Sequence, residues 1–508
     1  MQWVITIGGL LYNVIIIVAV STMIQLRKKQ RGETEDDFIT SGRNLPWYVV
    51  SATIALTTLG GGHINGLPAQ AWGTGEATIY YCIAHGIVYI ILLRFLAPWF
   101  LRTGFITIPG MLGKMYGPGF MCICVGLFIA AAWSSVSLET QGLSVVISGM
   151  TPLGPTAAAW IGSLIGLLYV FFAGMKEVGW VNLFNAILMY VFGICMLIFV
   201  GIYVTNNGGD GWATITDHFK NDPQGEELVR AFGSDRIIKT YIIGTMVSVG
   251  LGMNMNQGNM QSAVSVRNIG VLKKALYGAI PFNVMFGVII IGLGIASKAV
   301  VETVPAAAGA YEAGNIGVVW LAMNAVPWWV SIGWIGVALA ALLSSWAMIA
   351  LAGATVIVKD LQTPYFTKGR SMTNKQETMW VRIWIFIIGV TATVVALGVP
   401  NVIPAITWRV SFEIPIFVTL IYGLVWRRSA MSAIATTLIC WVANCLLTFV
   451  PGLTASLHME GDNYSIFMTL FAFVIGAALA ASDKKAKPGY CRLYKQQKLE
   501  WQQARGLA

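Results

Sequence analysis

Charge is scarce in this chain. Only 11% of its 508 residues are Asp, Glu, Lys or Arg, against 56% hydrophobic, whereas a soluble domain carries about 25% charged residues. A soluble globular domain is thereby excluded, and an integral membrane protein is indicated. Histidine is rarer still. Of His63, His85, His218 and His458, the last two fall in or near predicted loops, which leaves too few intramembrane ligands for the haem groups of a membrane redox enzyme. The seven cysteines show no zinc-site or disulfide spacing, and those within apolar runs read as small packing residues. No ten-residue block alternates with period two, so a β-barrel is not expected and the fold class is all-α. The net charge of +10 is spread over many short loops rather than gathered in a stripe, which argues against nucleic acid as a partner.

What the chain has in abundance is long apolar runs. About 13 are long enough to cross hydrocarbon, which takes roughly 20 helical residues. They lie near 2–25, 46–75, 77–101, 118–148, 154–173, 177–204, 239–261, 275–298, 328–358, 379–399, 402–426, 429–450 and 463–481. The first run is followed, not preceded, by its positive charges in "IQLRKKQR", which reads as a retained helix rather than a signal peptide. With the N-terminus outside and the C-terminus cytoplasmic, roughly 25 of the 32 Lys and Arg fall on the cytoplasmic side of a plasma membrane and about 5 outside.

The expected organisation is a leading transmembrane helix (1–30), a first five-helix repeat (46–204), an extracellular loop with short helices (205–237), a second five-helix repeat (238–426), two additional helices (429–482) and a basic cytoplasmic tail (483–508). The tail, about 26 residues, is too short for a fused signalling domain, and no obligatory protein partner is evident.

Two of the runs carry sequence that should break a helix. "TTLGGGHING", residues 57–66, sets three glycines ahead of His63 and Asn65, and "VSVGLGMNMNQGNMQ", residues 247–261, is similarly rich in glycine and amides. Each glycine costs a helix about 1 kcal/mol relative to alanine. Opened backbone at membrane depth is tolerated only where it is buried in protein or lines a wet cavity. A pair of interrupted helices at matching positions in two five-helix halves is the pattern of inverted-repeat transporters that bind substrate and ion near the midplane. The alternative use of glycine is close helix approach. In "GVALAALLSSWAMIALAG", Ala341, Ser344 and Ser345 stand at i, i+3 and i+4 on one face, and their oxygens suit a hard cation such as sodium.

Candidate solute-binding residues are the polar ones near the breaks: His63, Asn65 and Gln70, then Glu139, then Asn254, Asn256 and Gln257. Interhelical hydrogen bonding is an equally good reading of Asn256 and Gln257. His85, away from the breaks in sequence, reads as structural. Arg409 and Glu413, four apart in "TWRVSFEIP", can pair with each other, or Arg409 can grip a carboxylate in two-point fashion. A weak lean towards an amino acid or monocarboxylate solute follows; a sugar or vitamin remains open.

The chain resembles the sodium:solute symporter family over about 36–428, in "DDFITSGRNLPWY", "LAPWFLRTGFITIPGMLGKMYG", "NQGNMQSAVSVRN", the ALLSS segment ending in Asp360, and "IPIFVTLIYGLVWRR". The resemblance implies a LeuT-like core of two inverted five-helix repeats with discontinuous first and sixth core helices. It implies a co-transported sodium ion on the Leu56, Leu59 and Ala341 carbonyls and the Ser344 and Ser345 hydroxyls, and a solute contact for His63. Two positions depart from the family pattern. Asn182 stands where an aspartate is common, and Ser262 follows Gln261 where an arginine is usual. One coupled sodium is therefore expected, with proton coupling as the alternative. The resemblance implies no enzymatic activity; a sensor or channel is the reading from other classes. Purified protein is expected to lack a Soret absorbance band, and a visible spectrum checks this.

Overall fold

The computed structural model describes residues 2–31, 45–172, 175–221, 225–366, 372–398, 402–450, 452–453, 464–492 and 495. His458, most of the "DDFITSGRNLPWY" segment and the tail beyond Arg492, apart from Lys495, lie outside them. Apart from a two-residue ladder pairing Arg427–Arg428 with Lys487–Pro488, the described residues form helices and connections. Nine helices among them are long and apolar enough to cross a membrane. Trp47–Thr58, Pro155–Val170 and Ile466–Ser482 are apolar but shorter. One expected run, 46–75, is divided because it breaks part-way.

The fold is organised around the helix Trp328–Val356, which continues through a widened turn to Phe366. In its most apolar stretch 94% of residues are buried, so it runs through protein rather than along lipid. The leading helix Gln2–Arg31 packs along it, as do the helices Pro118–Met150, Met175–Asn206 and Asn374–Ala396. Small residues permit the approach. A Cβ on Gly9 would come within 2.8 Å of Ile335 Cγ2, one on Gly336 within 2.7 Å of the Tyr12 ring, and Asn13 Nδ2 donates to the Gly336 carbonyl at 3.1 Å. The leading helix is thus built into the core's axis.

Trp346, fully buried, ties this axis to the helix Pro118–Met150 by donating Nε1–H to Thr140 Oγ1 at 3.1 Å. The loop between the two halves carries short helices, Trp212–Asn221 and Glu226–Val229. It seats the Leu228 backbone against Gly75, whose φ of +56° and lack of a Cβ allow the contact. Removing the Trp346 side chain should destabilise the protein by about 3–5 kcal/mol. Trp346→Phe should cost about 1 kcal/mol, the worth of the Thr140 bond; thermal unfolding in detergent distinguishes the two.

Candidate functional site

The first break is where the three glycines predict it. The helix Trp47–Thr58 ends with Leu59 N–H donating to the Ala55 carbonyl at 2.9 Å. Leu59 and Gly60 leave the helix, and the chain resumes with His63 and Ile64 N–H both donating to the Gly60 carbonyl at 2.9 Å. From Gly62 a wide turn runs to Gly66 before a regular helix, Leu67–Thr74. The break is wrapped on two sides. Ser345 Oγ donates to the Leu56 carbonyl at 2.8 Å, and Glu139 Oε2 accepts from Gly61 N–H at 2.7 Å. Gly60 has no room for a side chain: a Cβ there would lie 2.4 Å from both Glu139 Oε1 and Ser345 Oγ.

Ser344, adjacent on the same helix, donates to Asn182 Oδ1 at 2.6 Å. Leu56, Leu59, Ala341, Ser344 and Ser345 are all buried at this level. The Ser345 hydroxyl and the Leu56 carbonyl thus meet at the opened backbone, and no cluster of three His, Cys, Asp or Glu able to hold a metal occurs among the described residues. The donor set suits a hard monovalent cation rather than a transition metal.

The second broken helix winds from Asp235 to Met255 through two widened turns and a tight one. It breaks at Asn256, whose backbone is extended (φ −72°, ψ 110°) and whose side chain caps the next helix, Gln257–Val264, by accepting from Asn259 N–H at 3.0 Å. Gly252 upstream serves another end: a Cβ there would strike Val410 Cγ1 at 2.2 Å. The two breaks are neighbours, since the Cβ position of Gly258 faces Thr57 Cγ2 at 3.4 Å.

The candidate solute residues divide among several places. Asn256, Gln257 and Arg409 line one cavity of about 30 Å³ with Ser135 and Glu413. Asn65 lines a second, about 10 Å³, with Asn315 and Trp334. Along the axis helix the first cavity touches Ile349–Val356 and the second Trp334–Ala338, so the serine pair sits between them. Gln257 is committed structurally: its amide accepts from Ile108 N–H at 2.9 Å and donates to the Ile106 carbonyl at 2.8 Å. Asn254 donates back to Gly250 and Leu251 carbonyls of its own helix. Gln70 faces Thr74 one turn on and is only half-buried.

His63 is completely buried and its ring nitrogens have no hydrogen-bond partner among the described residues. Its ring meets Tyr81 at 5.4 Å and His85 at 5.3 Å between centroids. His85, read from sequence as remote from the breaks, is therefore next to one, because the helix Ile79–Ile91 folds back against it. Near this pair Asn283 donates to Thr58 Oγ1 at 3.0 Å, and the Thr58 and Tyr89 hydroxyls bond at 2.6 Å. Tyr81 and Asn283 were not singled out from sequence. An amide two residues after Pro281 in a long apolar helix was the available signal for the second.

Arg409 Nη1 bonds Glu413 Oε1 at 2.7 Å, with both residues largely buried. The pair is self-neutralising, while Arg409 Nε and Glu413 Oε2 are buried without a hydrogen-bond partner among the described residues. Breaking a buried pair by removing one partner typically costs 3–5 kcal/mol, whereas replacing both can be neutral. Glu413→Leu is thus expected to lower the thermal midpoint well below that of Arg409→Leu/Glu413→Leu, as differential scanning fluorimetry measures.

Two offset broken helices, a serine-bearing axis and cavities on either side define a multi-pass secondary transporter with a LeuT-like core of inverted five-helix repeats. The chain belongs to the sodium:solute symporter family, whose model matches residues 38–440. It is 23% identical to a sodium/glucose cotransporter of Vibrio parahaemolyticus, over 70% of this chain and 68% of that one. Its fold matches a substrate-bound, outward-open Na⁺-coupled sialic acid symporter with TM-score 0.79 at 16% identity, covering 96% of this chain and 99% of that one. It also matches Mhp1, a nucleobase-cation-symport-1 family transporter in a closed conformation, with TM-score 0.56 at 11% identity, covering 88% and 96%. Membership makes the protein a membrane transporter rather than an enzyme, a sodium-coupled symporter of a small-molecule solute.

Proposed function

We propose that this symporter imports a small polar organic solute across the plasma membrane by alternating access, with one sodium ion held by the Leu56, Leu59 and Ala341 carbonyls and the Ser344 and Ser345 hydroxyls. The N-terminus lies outside and the C-terminus in the cytoplasm. The observation that carries the reading is the Ser345 hydroxyl meeting the Leu56 carbonyl at the break. A cation entering there exchanges that hydrogen bond for direct ligation, so binding rearranges little and joins the first broken helix to the axis helix. The cavities on either side of the serine pair along the axis helix support a reading in which access alternates between the two faces.

The solute belongs beside the breaks, where His63, Asn65 and Asn256 offer a ring and amides. The pairing of Arg409 with Glu413 removes the main reason for a lean towards amino acids or monocarboxylates, and leaves hydroxylated or amide-bearing solutes on an equal footing. Asn182 in place of a carboxylate keeps proton coupling as the second reading.

Uptake or thermal stabilisation by a panel of amino acids, monocarboxylates, sugars and vitamins, in sodium against choline, tests ion and solute together. A sodium-dependent response is expected, and Ser344→Ala/Ser345→Ala should raise the half-saturating sodium concentration at least tenfold. Equal responses in sodium and choline would refute the coupling.

A further inference from the structure

Glu139 is a buried carboxylate that the sodium-site reading does not use. It lies in the helix Pro118–Met150, 7% exposed, and among the described residues it forms no ion pair with any Lys, Arg or His. Arg409, the charged residue of the nearby cavity, is held by Glu413. Intramembrane charge is expensive and normally has a partner or a task. Among the described residues its one hydrogen bond, from Gly61 N–H at 2.7 Å, directs it at the opened backbone.

Its second oxygen faces the same gap as Ser345 Oγ, each 2.4 Å from where a Gly60 Cβ would be. The gap is kept open by a glycine, and a side-chain carbon would fill it. Across the site Asn182 accepts the Ser344 hydroxyl. Its own amide nitrogen is fully buried without a hydrogen-bond partner among the described residues, and an amide, not a carboxylate, meets Ser344 there. Helix Pro118–Met150 is in turn fixed to the axis helix one residue further on, through Thr140 and Trp346.

Resting on the sodium-coupled reading, we infer that Glu139 is the fixed negative charge of the cation site, facing the ion at Gly60 and supplying from the helix Pro118–Met150 the carboxylate that position 182 lacks. The structural alternative is a cap that merely satisfies the Gly61 amide. Gln is the discriminating replacement: its side-chain oxygen can still accept from Gly61 N–H, while the charge is gone. The loaded site is then neutral, which ties the charge at the break to the presence of a cation.

The test is a sodium titration, in choline at constant ionic strength, of full-length wild type, Glu139→Gln, Glu139→Asp and Ser345→Ala, read by thermal shift. Glu139→Gln should raise the sodium midpoint at least tenfold, and Glu139→Asp by less. A Glu139→Gln midpoint within twofold of wild type while Ser345→Ala is shifted would overturn the role of Glu139 and leave the sodium site standing. A wild type indifferent to sodium would instead remove the coupling reading beneath it. Should the Gln variant not fold, modification of wild-type Glu139 by a hydrophobic carbodiimide, followed by mass spectrometry, carries the test: protection by sodium but not choline is expected, and equal labelling in both refutes the inference.

Discussion

A main-chain carbonyl or amide released from a helix inside a membrane must find a partner, because water is not there to supply one. The break at Leu59–Gly60 obeys this constraint twice over: the Leu56 carbonyl takes a hydroxyl from Ser345, and the Gly61 amide gives its proton to Glu139. Much else follows from those two bonds. The axis helix must run through the protein to bring its serine to the gap, hence its burial. The helix Pro118–Met150 must lie against it, hence the Trp346–Thr140 bond. Gly60 must lack a side chain, since both partners reach into the space one would occupy.

The fold was legible because membrane helices advertise themselves by length and composition, and the first break because three successive glycines are a local signal. The pairing of Arg409 with Glu413 was legible for the same reason, four residues being one helical turn. What sequence could not supply was contact between distant segments. Glu139 meets Gly61 across 78 positions and Gln257 meets Ile108 across 149, and neither residue carries a mark of its partner. The place of His85 was missed on the same ground, its distance in sequence concealing a fold-back against His63, although its reading as a satisfied structural histidine agrees with the contact of Nδ1 with the Tyr81 carbonyl at 2.9 Å. At the second break the glycines drew attention to the right span for an incomplete reason. Gly252 serves close packing on Val410, and the interruption itself falls at Asn256, a residue able to cap the helix that follows.

The two cavities give the breaks their surroundings. Amides and a neutralised arginine–glutamate pair line one; the other is mostly apolar, with Asn65 and Asn315 as its amides. Arg409, in the helix Val402–Ser411, and Glu413, in the turn before the helix Ile414–Val425, are only four residues apart, so the larger cavity can change shape without separating the pair.

Gln257 grips the backbone on both sides of Thr107, and Thr107 in turn donates its hydroxyl to Asp360 Oδ1 at 2.9 Å, at the far end of the axis helix. The short helix after the second break, the bend near Thr107 and the end of the serine-bearing axis are consequently linked as one handle. A tilt of the short helix drags the bend with it and tugs on the terminus of the axis, so that displacement at one gap is delivered mechanically to the element that holds the other.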